Sequence, residues 1–399
     1  METLESVLTL LLAHCGAVNE NETLPLLSAL GRVTACDIVA PMNVPPFDQS
    51  PLDGYALHSE DIAQASRENP VFLRVVGEAC AGCGEIFHPQ RGEALRIMTG
   101  APVPPECDCV IRQEDTDEGM ELAAFYAAVK HGANVCRAGE DVRKGALIVR
   151  RGERLTSAHI GVLSSLGFCE VTCRRRVRAA LLSTGDEITR PGNPLSFGKI
   201  YESNSAALAA RLIELGIEAE VMAPSRDDAQ LVADTLTEAL ARNDILMTTG
   251  GVSVGKKDIL HQVLPLMGAE RLFWKVAMKP GMPTMAGQKD GKLIICLSGN
   301  PFSALACFEV FAVPVLRKLS GEQICDSRRV RTVFRGQFGK AGKARRIVRA
   351  FFDGNSARLT GENQSNGSLS TMIGCNCLID IPAGNGPLCD GDEITVILL

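Results

Sequence analysis

This chain has no surplus of positive charge. Its 399 residues carry 41 Lys and Arg against 47 Asp and Glu, a net charge of −6. A general electrostatic affinity for nucleic acid, which rests on neutralising many phosphates, is therefore not expected. The basic stretches Cys173 to Arg178 and Lys340 to Arg349 are short, and each reads as a solvated edge or hinge. A membrane span is missing too: the apolar run Leu8 to Ala13 falls far short of the roughly 20 residues a spanning helix needs. The chain starts Met1-Glu2 with no basic region, unlike a signal peptide, so the cytoplasm is the expected location. Six histidines form no HExxH or HxxxH pair, which argues against a histidine-built zinc site. Fifteen cysteines are many, but cytosolic thiols stay reduced, so a disulfide framework is not expected. Cys80 and Cys83 have C-x-x-C spacing with no second such pair. Cys107/Cys109 and Cys375/Cys377 are wrongly spaced for a zinc ribbon, and the cysteines read as structural or incidental. Internal repeats, low-complexity tracts, GxxxxGK[ST] and GxGxxG are all absent.

The chain is long enough for two to four domains, and 46% hydrophobic with 22% charged residues is ordinary for a globular protein. Residues 3–14 read as a helix, with Leu4, Val7, Leu8, Leu11 and Leu12 on one face. Short β-runs punctuated by Gly and Pro follow at 71–76, 94–98, 109–112 and 121–129. A helix capped around Thr156 and ended by Gly167 resembles a continuation of the N-terminal region. The reading is therefore a discontinuous helical or mixed linker domain, 1–44 and 142–176, interrupted by a β-rich insertion at 45–141. From Arg178 strands and helices alternate, which implies a central three-layer α/β/α domain, 177–322, with a mostly parallel sheet. The last part, 323–399, returns to β-runs at 329–334, 345–352, 356–359, 377–381 and 393–398, a small β-domain.

The most informative run is Asn243 to Asp258. An apolar strand breaks at Gly250-Gly251, resumes through Ser253 and Gly255, and ends on Asp258 before an apolar-periodic segment, Ile259 to Met267. Glycines there let the backbone turn and let a ligand approach, and free N–H groups at a helix start favour an anion. In parallel α/β sheets ligands sit beyond the carboxyl ends of the strands. Asp186, Glu187, Asp227, Ser253, Asp258, Lys279, Asn300 and Ser303 all follow such ends and should meet on one rim. Any one of them alone reads as a cap or turn: Asp227 is a good N-cap, and Pro301 suits a first helical position. Together, carboxylates beside a phosphate-cradling turn suggest a phosphate ester bridged by Mg²⁺, with lysines neutralising oxyanion charge. Two clusters in the first half, Phe47 to Ala56 and Arg96 to Pro102, read from spacing alone as a rigid polar loop and a strand running into a turn.

These stretches together resemble the molybdopterin molybdenumtransferase family, which includes MoeA-type enzymes and the gephyrin E domain. The matching segments are PPFDQSPLDGYAL, RIMTGAPVP, AGEDVRKG, LLSTGDEI, IYESN, TTGGVSVGKKD, FWKVAMKPG and LSGNPFSA, in family order from residue 45 to 304. GGVSxG with SGNP also occurs in related adenylyltransferase domains, so the first two segments select the family. The resemblance implies insertion of molybdate into adenylylated molybdopterin, with cleavage of the pyrophosphate link and release of AMP. It implies that Ser253 and the Gly250–Gly255 turn, including Gly251, hold phosphates, and that Asp227, Asp258 and Glu187 hold Mg²⁺. Lys275 and Lys279 would face phosphate and oxyanion charge. Asp186, Pro283, Ser298, Gly299, Asn300, Pro301 and Ser303 would line the substrate. Asp53, Thr99 and Asp141 would sit on an arm that reaches the active site of the other subunit of a homodimer. A molybdopterin adenylyltransferase upstream and molybdoenzyme maturation proteins downstream are the implied partners.

Two positions depart from the family pattern. Met282 stands where many relatives have the second lysine of KPGKP. Asn363-Gln364 is followed by Ser365-Asn366 rather than Gly-Ser, which leaves Arg349 as the candidate cation from the last domain. The departures leave molybdate and tungstate both open as the metal oxyanion. Three other functions compete: a molybdopterin adenylyltransferase, a nucleotide pyrophosphatase sharing the α/β domain, and a non-catalytic scaffold. The 45–141 arm argues against the first two. The presence of Asp186, Glu187, Asp227 and Asp258 argues against the third.

Overall fold

The computed structural model describes residues 1–82, 84–252, 259–340, 342–361 and 363–399. Ser253, Gly255 and Asp258, with the cysteine of the C-x-x-C spacing at 83, lie outside the described residues.

The central sheet has six strands in the order Glu218–Val221, Arg178–Ser183, Ile245–Thr249, Lys292–Leu297, Met285–Lys289 and Glu270–Trp274. The first four are mutually parallel, and Met285–Lys289 runs antiparallel to both its neighbours. Successive side chains on a strand point to opposite faces, and both faces here are apolar. Ala179, Leu181, Met247, Leu293 and Ile295 meet Leu208, Leu212, Phe302 and Leu316 on one side. Ala180, Leu182, Leu246, Ile294 and Cys296 meet Val232, Leu236, Leu240, Leu260 and Val263 on the other. The result is the expected three-layer α/β/α arrangement, in which each fully buried Leu or Ile contributes about 1.5–3 kcal/mol. The N-terminal helix Leu4–Ala13, capped by the Thr3 hydroxyl accepting from Ser6 N at 3.1 Å, adds Leu4, Val7 and Leu11 to the first of these cores.

Three elements differ from the sequence reading. The apolar stretch Leu272 to Met278, which its composition alone offers as a single β-run, is not one strand: the strand stops at Trp274, Lys275 takes a φ of +72°, and Met278–Lys279 forms a separate short strand. Met285–Lys289 is a strand that the sequence does not announce, because MAGQK shows neither alternation nor β-branching. The helical run from Pro301 to Leu319 is continuous but widens to a π turn over Phe308–Ala312. Pro314 has no N–H to donate back along that turn.

The C-terminal strands Arg329–Arg335, Arg345–Phe352, Ser356–Leu359, Cys377–Ile381 and Glu393–Leu398 appear where the sequence places them. Arg345–Phe352 pairs with Ser356–Leu359 on one side and with Cys377–Ile381 on the other, which closes the five into a small barrel. Met278–Lys279 adds to its edge, Met278 opposite Arg345 and Lys279 opposite Arg346. The sheet in the 45–141 region runs Cys109–Arg112, Gly54–Leu57, Glu93–Ile97, Val71–Ala79, Leu122–Phe125. Its buried strand Gly54–Leu57 comes from the stretch read as a polar loop. No side chain would fit at Gly54, where a Cβ would lie 1.9 Å from the Ile111 carbonyl oxygen. Among the described residues, no helix is long and apolar enough to cross a membrane.

Candidate functional site

Three turns at the carboxyl ends of the parallel strands meet and form the floor of the site. Gly250 and Gly251 have φ of +89° and +64°. A Cβ at Gly250 would lie 2.4 Å from the Thr184 carbonyl oxygen, and one at Gly299 would lie 3.4 Å from the Gly250 Cα. Glycine at 250 is therefore required both by dihedral and by space. Asn204 Nδ2 donates to the Gly299 carbonyl at 2.8 Å and fixes the third turn.

Above this floor lies a cavity of about 600 Å³, lined by Glu187, Glu202, Asp227, Thr184, Gly250, Gly251, Ser298, Gly299, Asn300 and Pro301 among others. No lysine, arginine or histidine lines it among the described residues. Glu202, a residue of IYESN to which the sequence assigns no role, is buried. Its Oε1 accepts from Ser183 Oγ at 2.8 Å and from Ser205 N at 2.6 Å, and Thr249 Oγ1 lies 2.8 Å from the same Ser183 hydroxyl. Thr184 Oγ1 and Asn204 Oδ1 are buried without a hydrogen-bond partner, so the cavity wall has unmet capacity for a polar ligand. Asp228 is the N-cap of helix Ala229–Arg242, accepting from Leu231 N at 3.0 Å; the cap reading of Asp227 is corrected, and Asp227 lines the cavity instead. Asp186 sits just behind, its Oδ1 accepting from Asp227 N at 3.4 Å.

A second cavity of about 380 Å³ opens on the other side of Pro283, Ser298 and Asn300, between the sheet and the barrel. It is lined by Lys279, Met282, Ser303, Lys340, Arg346, Gln364 and Asn366, and no carboxylate faces it among the described residues. The basic stretch 340–349, read from sequence as a solvated edge, is corrected in part: Lys340 is exposed, yet with Arg346 it faces this cavity, and Arg349 is fully buried. The Arg349 guanidinium stacks 4.0 Å over Phe302. It donates to the carbonyls of Asn363 at 3.2 Å, Ser365 at 3.0 Å and Ser368. Burial holds its pKa below the usual arginine value. Arg349 therefore shapes the 363–368 loop from beneath and lines neither cavity. Asn366 returns to the α/β domain through its carbonyl, which accepts from Phe302 N at 3.0 Å.

The remaining residues lie elsewhere. Lys275 Nζ sits 3.9 Å over the Trp274 ring, and Trp274 Nε1 donates to the Val252 carbonyl at 3.4 Å. Lys275 lines neither cavity. Asp53 and Thr99, far apart in sequence, are joined: Asp53 Oδ1 accepts from Thr99 N at 2.8 Å and from Thr99 Oγ1 at 2.7 Å. Those two donors, the backbone N–H first, hold the Asp53 pKa below the ordinary aspartate value. Asp141 is exposed, its N–H donating to the Val44 carbonyl at 3.1 Å. None of these three lines either cavity of its own chain.

Among the described residues no group of three His, Cys, Asp or Glu side chains is placed to hold a metal. Asp227 and Glu187 nevertheless line one cavity, offering hard oxygen donors beside orphaned polar atoms. One or two carboxylates, completed by substrate phosphates, is the usual protein share of a Mg²⁺ site, so the donor set fits that ion.

Three family models match the chain. The MoeA N-terminal region (domain I and II) covers residues 2–167, a probable molybdopterin binding domain covers 180–318, and the MoeA C-terminal region (domain IV) covers 331–399. A molybdopterin molybdenumtransferase of Staphylococcus epidermidis is 33% identical over 383 residues, 95% of this chain and 91% of the relative. A molybdopterin molybdenumtransferase 2 of Mycobacterium tuberculosis is 39% identical over 306 residues, 75% of each. A solved molybdopterin biosynthesis MoeA protein of Pyrococcus horikoshii superimposes with a TM-score of 0.85 at 32% identity, covering 99% of this chain and 98% of that one.

Proposed function

The chain belongs to the molybdopterin molybdenumtransferase family of transferases, which serves molybdenum cofactor biosynthesis, and from that premise we propose how its two cavities divide the work. The acidic cavity over the sheet takes the phosphate-bearing part of adenylylated molybdopterin. The basic cavity takes the metal oxyanion, molybdate or tungstate. The observation that carries this reading is the sign of the two linings, which among the described residues hold three carboxylates in one and three cations in the other and are joined at Pro283, Ser298 and Asn300.

A pyrophosphate cannot enter a carboxylate-lined cavity without a compensating cation. Mg²⁺ held by Asp227 and Glu187, with Asp258, would supply that charge and polarise the phosphorus–oxygen bond that breaks. Gly250 and Gly251 let the phosphates lie directly on the backbone, and the family resemblance adds Ser253, which lies outside the described residues. Thr184 Oγ1 and Asn204 Oδ1 offer the unused hydrogen-bonding capacity. Ser298 and Asn300, common to both cavities, orient the substrate across the seam. Lys279 and Ser303 face the oxyanion, while Lys275, among the described residues, approaches the Gly-rich turn through Trp274. Asp53, Thr99 and Asp141 serve the site of the second subunit of a homodimer, a reading supported by the absence of all three from their own chain's two cavities.

Incubation with adenylylated molybdopterin, Mg²⁺ and molybdate or tungstate tests the reading, with AMP release and metal transfer measured together. Release of AMP coupled to metal transfer is the expected result. Adenylylation of molybdopterin from ATP would overturn the assignment. The same assay on dimers co-assembled from equal amounts of Asp53→Ala and Asp227→Ala chains tests the shared site. Each heterodimer keeps one intact site, so about a quarter of wild-type activity should return; no recovery would refute the arm's service to its partner.

A further inference from the structure

The run Cys173 to Arg178 plays no part in the proposed reaction, and it is not a solvated edge along its whole length: Arg174 is buried, as is Arg32. Strand pairing brings these distant segments together. Asn21–Pro25 runs antiparallel to Glu170–Arg174, and Val33 bridges to Arg154. Arg32, Arg154, Arg174, Arg175 and Arg176 thereby line one small cavity of about 20 Å³. The helices of the central sheet close it with Gly216, just past Asn204–Glu214, and Ser320, just past Val313–Leu319. No Asp or Glu lines this cavity among the described residues. The carboxylates that pair with its arginines stand outside it: Glu322 is 2.6 Å from Arg154, Glu20 and Asp244 are 2.7 and 3.0 Å from Arg175, and Glu22 pairs with Arg32. Arg174 and Arg176 have no ion pair among the described residues; Arg174 Nη1 donates to Asn21 Oδ1 at 3.1 Å and Arg176 Nη1 to the Gly216 carbonyl at 3.3 Å.

The guanidinium heads crowd one point. A Cβ at Gly216 would lie 3.6 Å from Arg154 Nη1 and 3.9 Å from Arg176 Nη1, so glycine there leaves both their place. Like charges gathered in a partly dry spot repel unless an anion stands between them. Each guanidinium also carries five N–H donors, and Arg176 spends one on the Gly216 carbonyl. We infer that the cavity is a halide site, occupied by chloride, and that the ion stabilises the packing of this arginine cluster against the helix ends at Gly216 and Ser320. Size selects the ion. One water needs about 10–15 Å³, so a space of about 20 Å³ admits one monatomic anion and leaves no room for a tetrahedral oxyanion. The site shares no lining residue with the two cavities of the proposed reaction, so it stands independently of that reading.

The test is thermal unfolding of the full chain at constant ionic strength, with chloride exchanged stepwise for gluconate, which is too large for the cavity. A bound ion stabilises the folded state by mass action, so the midpoint should rise with chloride by about 1–3 °C and then level off, and bromide should act like chloride. Equal midpoints in chloride and gluconate overturn the inference. Arg176→Gln separates the ion from a purely structural role of the arginine. With one clustered charge removed, the variant should match or exceed the wild-type midpoint in gluconate and lose the response to chloride. A variant that loses the same stability in both salts, and still responds to chloride, overturns the site. Sulfate or phosphate acting where halides do not would overturn the choice of ion. Crystals grown in bromide give a direct readout that needs no variant: an anomalous peak is expected between Arg154 and Arg176, and its absence refutes the site even if Arg176→Gln fails to fold.

Discussion

Two cavities share one wall and have opposite chemistry. The one over the sheet is built from strand-end turns and lined by Glu187, Glu202 and Asp227. The one against the barrel is built from a turn, a loop and a barrel strand, and lined by Lys279, Lys340 and Arg346. An acidic cavity repels phosphate and needs a cation as adaptor; a basic one accepts an oxyanion directly. Under the proposed function, the difference would let one site handle two anions by different means, keeping each in its own half up to the shared wall at Ser298 and Asn300.

The strongest way to break this comparison is to remove the adaptor. Chelation of Mg²⁺ by EDTA, or Asp227→Ala, should abolish AMP release, a loss of a hundredfold or more on the scale of about 3 kcal/mol for a key electrostatic group. Binding of molybdate to the basic cavity should persist in both cases. Dialysis and AMP release measured side by side give the answer, and a molybdate affinity that falls together with turnover would show that the two halves are not separate.

How much of this was legible beforehand depends on what each element is made of. The barrel strands announced themselves because apolar runs there are bounded by Gly, Asp and Asn. The strand-end acids and glycines were legible because a parallel sheet sends every such residue to the same rim. Gly54–Leu57 was hidden by the turn-like sequence before it, although Gly54 fits only because no side chain does. Arg346 was hidden in a basic run whose three arginines have three different fates: Arg345 ion-paired, Arg346 in the cavity, Arg349 buried under a loop. Sequence spacing cannot separate these, since the barrel's closure decides which way each side chain points. Asp53 and Thr99 were each visible as turn residues, while their contact depends on strand pairing 46 residues apart.

An intermediate test falls on the turn of the basic half. Gly281 has φ +96°, and a Cβ there would lie 2.1 Å from the buried Cys307 Sγ. Gly281→Ala should cost about 1–3 kcal/mol of stability through backbone strain and overpacking. Because the turn carries Lys279, Met282 and Pro283, oxyanion affinity should fall more than pterin affinity. Denaturant midpoints with parallel dialysis report both quantities. Equal loss of the two ligands would mean that the shared wall, rather than the basic half, has moved.

The finest distinction lies within the basic cavity itself. Lys340 is exposed, whereas the Arg346 Nε is buried. A solvated ammonium is screened by water and salt, and exposed charge pairs contribute little. Lys340→Gln should therefore weaken molybdate only about twofold at low ionic strength, and the deficit should vanish when salt shrinks the Debye length to about 3 Å at 1 M. The loss caused by Arg346→Met should survive the same salt better, since the half-buried guanidinium, its Nε fully buried, acts by contact. Molybdate titrations of both variants at low and high salt separate the two. If both deficits collapse together, the cavity works by diffuse positive potential alone, and its difference from the acidic half is one of sign rather than of structure.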